Sequence, residues 1–236
     1  MLLCDSAVQY PVAKRCSCDS HVSMICAIGI DVGGTGIALA LVTSAGAILD
    51  RREFPTGDYD GSIAQAIAAC RELGAVHPVA GVGLCCPGPM NLQTGEILNP
   101  FTMSWQGRNP VKDLRDALGL PVYLENDADA ALLGEIRFGA ARGYDSAVMV
   151  TFGTGVGGAV YAHGRLLRGE KKEYPEIGHM PVLPDDLECY CGVRGCLEIV
   201  ASGTALLKLV ELLDLSSIDE LFVESDKTRK FHRRLQ

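Results

Sequence analysis

The first clear hydrophobic pattern begins at Met24. "MICAIGID" is a continuous apolar run rich in β-forming residues, and it ends in Asp31. "GGTG" turns the chain, and "IALALVTSAG" and "AILDRREFP" follow as two further strand-like runs. Short spacing and glycine turns predict a three-stranded antiparallel meander. Apolar positions at helical spacing over 61–74, "GSIAQAIAACRELG", predict a helix that ends at Gly74. "VAGVGLCCPG" reads as a buried strand running into a Pro/Gly loop. "NPVKDLRDALG" reads as a helix with an Asn cap and a terminal glycine. "PVYLEN" is another strand, and "DADAALLGEIRFGAARG" an alanine-rich helix that begins at its acidic end. Residues 1–23 carry no period and read as a disordered extension.

A second meander then starts. "DSAVMVTFGTGVGGAVYAHGRLL" again has a strand, a Gly/Thr turn and a returning strand. "IGIDVGGTGIALAL" is therefore echoed by "VMVTFGTGVGGAVY" about 120 residues later. The echo predicts two similar lobes, 24–130 and 131–236, each offering one hairpin that can cradle phosphate through backbone N–H groups. One such hairpin is common in β proteins; two in matching context are not.

Composition narrows the classes. With 236 residues, 48% of them apolar, the chain can bury a sizeable core. Its 29 acidic and 21 basic residues leave a net charge of -8, which disfavours sequence-independent nucleic-acid or anionic-membrane binding. No apolar run reaches the roughly 18 residues of a membrane span. The first residues lack a secretory pattern, so a cytoplasmic chain with reduced thiols is expected. Ten cysteines are too dilute at this length for a disulfide scaffold. Cys26, Cys70, Cys85 and Cys86 stand in apolar context and read as small core residues.

Four stretches carry chemistry. In "DVGGT", 31–35, a carboxylate at a strand end precedes two glycines that let backbone reach a phosphate, and Thr35 adds a hydroxyl. "GTGVGG", 153–158, repeats that logic. In "END", 125–127, Asn126 and Asp127 sit where a strand hands over to a helix; Asp127 reads either as a helix cap or as a reactive carboxylate. In "EIGHMPVLPDDLECYCGVRGCLE", His179, Cys189, Cys191 and Cys196 have the spacing H-x9-C-x-C-x4-C. One imidazole and three thiolates form a closed tetrahedral zinc set with no position left for water, hence a structural site. A redox role is the alternative, although Cys-x-Cys lacks the usual two-residue spacing.

Taken in order, "IGIDVGGT" (28–35), "PGP" (87–89), "LENDADAALLGE" (124–135), "GTGVGGA" (153–159) and "EIGHM...CYCGVRGCLE" (176–198) resemble the ROK family (repressor, open reading frame, kinase). That family includes bacterial glucokinases and N-acetylhexosamine kinases. The resemblance covers about residues 25–205. It implies an α/β, actin/hexokinase-like (ribonuclease H-like) two-lobe ATPase fold. It implies ATP-dependent phosphorylation of a glucose-like hexose at its 6-hydroxyl, with Asp127 as catalytic base. It places Asp31 near Mg²⁺, and Gly33, Gly34, Thr35, Gly153, Thr154 and Gly155 around the phosphates of ATP. Asn99, Asn126, Asp127, Glu176, His179 and Glu198 would face the hexose. Asn99, which precedes a proline, reads equally as a turn residue, and the two glutamates as solvated loop charges. His179, Cys189, Cys191 and Cys196 would hold Zn²⁺, and a homodimer is the family's common state. Asp129 stands where the family often has Asn and is expected to face solvent.

The family pattern normally continues well beyond "ASGTAL" with the rest of the second lobe and the adenosine pocket. This chain instead ends in a basic, aperiodic tail. The expectation is therefore an incomplete second lobe with an uncovered sheet face and weak or no ATP-dependent activity. The competing reading is a non-catalytic, sugar-binding regulatory module.

Overall fold

Strand β1 (Cys26–Val32) alternates strictly, with Cys26, Ile28, Ile30 and Val32 buried and the residues between them facing the other side. It is the central strand of a five-stranded mixed sheet. This is a computed structural model that describes residues 25–98, 104–170, 173–183 and 187–223. The N-terminal extension, Asn99 and the basic tail lie outside the described residues.

β2 (Gly36–Thr43) and β3 (Ile48–Pro55) complete the predicted antiparallel meander. Gly46, at φ 89°, makes the turn between them; its N–H donates to the Thr43 carbonyl at 2.9 Å. Helix α1 (Tyr59–Gly74) is capped by Asp58, whose side chain accepts from the Gly61 N–H at 2.8 Å. It crosses over to β4 (Val79–Cys86), which pairs parallel to β1. α2 (Pro110–Leu118) crosses over to β7 (Val122–Asn126), parallel to β4. Asn109 caps α2 by accepting from Lys112 N–H, and Gly119 ends it in the left-handed region at φ 66°, as the sequence predicts.

The Pro/Gly loop after β4 holds a small hairpin that periodicity missed. β5 (Met90–Asn91) pairs with β6 (Glu96–Ile97). The Asn91 carboxamide accepts from the Gln93 and Thr94 N–H groups and builds the turn between them.

The main core lies between this sheet and helices α1 and α2. Ile28, Ile30, Leu39, Leu84, Leu73 and Leu114 are its fully buried centre. The opposite sheet face is floored by Gly29, Ala38, Ala40 and Gly83, which leaves an open crevice of about 560 Å³.

The second meander forms as predicted: β8 (Ser146–Phe152), β9 (Val156–Ala162) and β10 (Arg165–Leu166), in the order β10-β9-β8. Helix α3 (Asp127–Phe138) leaves β7 and covers one face of it, with Ala128 and Leu132 against Ala159. On the other face Val148 and Phe152 are 65% and 64% exposed. Among the described residues β8 pairs with β9 alone. Two short helices follow the cysteine-rich loop, α4 (Glu198–Ala201) and α5 (Gly203–Leu212). No described helix is long and apolar enough to cross a membrane.

Candidate active site

Parallel pairing of β1, β4 and β7 sets the first half of the site. Register aligns Asp31 with Cys85 and Cys85 with Glu125, while Cys86 aligns with Asn126. Asp31 and Asp127 therefore both stand at the carboxyl ends of parallel strands, β1 and β7 with β4 between them, where open α/β sheets form ligand crevices. Cys85 corrects the sequence reading. It lines the crevice rather than the core, and its thiol donates to Asp31 Oδ1 at 3.4 Å. Burial, with Asp31 beside it, pushes the Cys85 thiol far up, so it stays protonated as a donor. Cys26, Cys70 and Cys86 are buried as expected.

The first glycine turn follows Asp31 directly. Gly33 N–H donates to the Gly36 carbonyl at 2.8 Å. Thr56, just past β3, ties the turn down: its hydroxyl donates to the Gly33 carbonyl at 2.7 Å and its N–H to the Thr35 carbonyl at 3.1 Å. Gly34 and Thr35 remain exposed beside a crevice of about 520 Å³ lined by Asp31, Gly33, Thr35 and Glu53.

The second turn is braced from elsewhere. Gly153 N–H donates to the Gly155 carbonyl at 2.9 Å. From the start of α5, Gly203 N–H donates to the Gly153 carbonyl and the Thr204 hydroxyl to the Thr154 carbonyl, each at 2.8 Å. Glu198 Oε2 accepts from Val156 N–H at 2.8 Å, and a Cβ on Gly155 would collide with that carboxylate.

At the β7–α3 junction the cap is Asn126, not Asp127. Asn126 Oδ1 accepts from the Ala128 and Asp129 N–H groups at 3.0 and 3.3 Å. Asp127 Oδ1 accepts from Ala128 N–H at 2.8 Å, and the Asn126 side chain donates to the same carboxylate. Burial, with Asp31 nearby, raises the Asp127 carboxyl above the ordinary value; the N–H donors oppose that shift.

Asp129 contradicts the expectation that it faces solvent. It is 0% exposed, and burial raises its carboxyl to about 6 against the pull of Arg168. The physical reason is helical spacing: three residues before the buried Leu132, Asp129 falls on the covered side of α3. That spacing was a usable signal. Its partner Arg168, beyond β10, had none, because the pairing joins loop and helix across the fold.

The third wall is the cysteine-rich loop. Ile177–His179 forms a single 3-10 turn, with Gly178 packed so closely on β9 that a Cβ there would strike the Val156 carbonyl. Gly192 and Gly195, at φ 88° and 74°, fold the loop back on itself. The donor atoms of His179, Cys189, Cys191 and Cys196 all lie within 4.8 Å of one another. Cys191 and Cys196 sulfurs are 3.7 Å apart, close to the ~3.8 Å edge of a zinc tetrathiolate-type tetrahedron with Zn–S near 2.3 Å. The four donors fit a tetrahedral zinc ion. His179 Nδ1 faces Cys189 Sγ at 3.5 Å, which leaves Nε2 turned the other way.

Nε2 meets the Tyr190 hydroxyl at 3.3 Å, with the rings edge to face. Tyr190 also bonds Glu198. No sequence motif pointed to this tyrosine, which sits between two cysteines of the loop. Burial raises the Glu176 carboxyl; His179 opposes the shift, while Glu198 and Asp127 add to it. Glu176 thus feels the charges of His179, Glu198 and Asp127. Glu198 ties the cysteine loop to the second glycine turn, and Asp31 and Asp127 stand at strand ends of the first sheet, while Asn99 lies outside the described residues.

This mixed α/β architecture, with two glycine-turn meanders, is that of the actin/hexokinase-like fold. The family model "ROK family" matches residues 27–233, and the chain belongs to the ROK family. It is 40% identical over 194 residues to a glucokinase of Halalkalibacterium halodurans, covering 77% of this chain and 58% of that one. It is 34% identical over 135 residues to a xylose repressor of Bacillus subtilis, covering 57% of this chain and 35% of the repressor. The crystal structure of a Streptomyces griseus ROK glucokinase with glucose and AMPPNP superposes with a TM-score of 0.72 at 35% identity, covering 84% of this chain and 64% of that one. The chain thus spans less than two thirds of the length of these relatives.

Proposed function

We propose that this chain phosphorylates a glucose-like hexose at its 6-hydroxyl, using ATP, with Asp127 as the base. The observation that carries the reading is the position of Asp127, where β7 hands over to α3 at the carboxyl end of the parallel strands that also carry Asp31. Phosphoryl transfer asks a protein mainly for positioning and charge stabilisation. The turns at 33–35 and 153–155 offer the N–H groups of their second and third residues to the phosphates, since Gly33 and Gly153 N–H close the turns themselves. Glu176, Glu198 and His179 Nε2 offer acceptors and a ring nitrogen to sugar hydroxyls, and Asn126 orients the base. Asp127 takes the hydroxyl proton as the new bond forms. Its raised carboxyl moves the acid limb of the rate profile above the ordinary 3.8, while Ala128 N–H and the helix N-terminus oppose that shift. Magnesium bound with ATP would neutralise phosphate charge, with Asp31 as the residue to hold it. Zinc on His179, Cys189, Cys191 and Cys196 would fix the loop and take no part in the chemistry.

The match to a repressor favours one competing reading, a sugar-binding module without turnover. A coupled ADP-release assay on wild type and Asp127→Ala, with calorimetry for glucose in the presence and absence of ATP·Mg²⁺, separates the two. Turnover that falls roughly 10²- to 10⁴-fold in the variant supports the base. Turnover retained in Asp127→Ala removes it. Glucose binding without nucleotide binding selects the sugar-binding module.

A further inference from the structure

Among the described residues, two acids on either side of Asp127 share one guanidinium. Glu125, at the end of β7, and Asp129, in the first turn of α3, flank the Asn126–Asp127 pair. Neither oxygen of Asp129 has a hydrogen bond, although the side chain is fully buried. One guanidinium answers both acids. Arg168 Nη2 donates to Glu125 Oε2 at 2.6 Å and lies 3.0 Å from Asp129 Oδ2, out of line for a hydrogen bond. Arg168 belongs to the connection after β10, in the other meander, and its guanidinium lies 5.9 Å from the Tyr174 ring centre. Two residues beyond Tyr174 that same connection reaches Glu176.

We propose that Arg168 is a positioning residue: its guanidinium draws Glu125 and Asp129 together and so sets where Asp127 stands relative to the Glu176–His179 wall. The inference rests on the kinase reading and deepens it. The route is short. Glu125 Oε1 accepts from Asn126 N–H at 2.8 Å, and Asn126 in turn caps the Ala128 and Asp129 amides. Each acid is thus one bond from the cap that carries Asp127. Without the guanidinium, two buried carboxylates stand side by side and must part or neutralise. Parting moves the cap, and a small misplacement of a reacting group carries a large rate penalty.

The test uses the full chain and three variants. Arg168→Met removes the guanidinium. Arg168→Met/Asp129→Asn also removes the like-charge repulsion, which separates positioning from simple neutralisation. Arg52→Met, on the exposed pair with Asp50, is the control. Amide exchange at Asn126, Ala128 and Asp129 is measured beside hexose-dependent ADP release. In Arg168→Met, exchange at the three junction amides should rise roughly 10-fold or more while α2 amides hold. Turnover should fall about 30-fold or more with hexose KM within about 3-fold. The double variant should regain thermal stability but neither junction protection nor turnover. The proposal is overturned if the double variant recovers both, or if junction exchange in Arg168→Met matches wild type. Should Arg168→Met fail to fold, the double variant decides. Wild type without turnover counts against the kinase reading, and the exchange comparison still decides the role of Arg168.

Discussion

Replacing Asp129 by Asn should stabilise this protein at neutral pH and lose that advantage in acid. Asp129 is fully buried and its neighbours are Arg168, Glu125 and Asp127, one cation against two further acids. Its carboxyl rises from 3.8 to about 6, chiefly through burial. A folded value above the unfolded one means that folding favours the protonated form. That contribution is fully present below 3.8 and disappears as pH rises through about 6. A rise of that size corresponds to about 3 kcal/mol, of which about 2 kcal/mol separates pH 4.5 from pH 7.5.

The carboxamide of the Asp129→Asn variant cannot titrate, so the variant lacks this pH dependence. The new amide needs acceptors of its own, which adds an offset that is the same at both pH values. The informative quantity is therefore the change in the stability difference between pH 4.5 and pH 7.5. Urea unfolding of both proteins at the two pH values should show the variant gaining about 2 kcal/mol on wild type as pH rises. A difference that stays flat, or one that moves toward wild type, would refute a burial-driven shift at Asp129.

Three further outcomes follow from the site. Stripping zinc with a chelator should abolish glucose binding together with the metal, and calorimetry that returns unchanged affinity in metal-free protein would reduce the ion to a local staple. Tyr190→Phe frees His179 Nε2 and Glu198 from the hydroxyl that occupies them, so glucose affinity should tighten about 3- to 10-fold, the worth of one such bond; a weaker Kd in the variant contradicts this. Gly178→Ala drives a methyl into the Val156 carbonyl and pushes the Glu176–His179 turn off β9. It should lower stability by about 1–3 kcal/mol and weaken glucose binding at least as much, checked by thermal unfolding and calorimetry on one preparation.

What could be read from the chain follows from how local each determinant is. The first meander, α1 and α2 are set by turn glycines and caps a few residues away, and Asp58, Asn109 and Gly119 act as their types predict. The His179–Cys189–Cys191–Cys196 cluster was legible because ligand spacing within one loop is itself the signal. The β5–β6 hairpin was missed because two-residue strands have no period to detect; the Asn91 turn makes it. Cys85 was misread because β4 is apolar on both faces, and only its register with Asp31 shows which side opens to the cleft. Arg168 was invisible for a related reason. Its acidic partners Glu125 and Asp129 lie 43 and 39 residues earlier, on other elements, and nothing in "RLLRGE" distinguishes it from a solvated arginine.

Glu198 shows how the walls of the site act on one another. Its Oε2 holds the Val156 N–H at the second glycine turn, and its carboxylate also takes the Tyr190 hydroxyl. It stands two residues past Cys196, and between them Leu197 N–H donates to the Met180 carbonyl, next to His179. A metal on His179 and Cys196 would therefore hold the backbone just before Glu198, and Glu198 would pass that restraint to the glycine turn at 153–155. A loop that only bound sugar would have no reason to touch the hairpin at 153–155. Loosening the four donors should consequently raise amide exchange at Val156 as well as within 176–198, while the first turn, braced by Thr56 from β3, keeps its protection. Exchange confined to the cysteine loop would show that Glu198 does not carry the coupling.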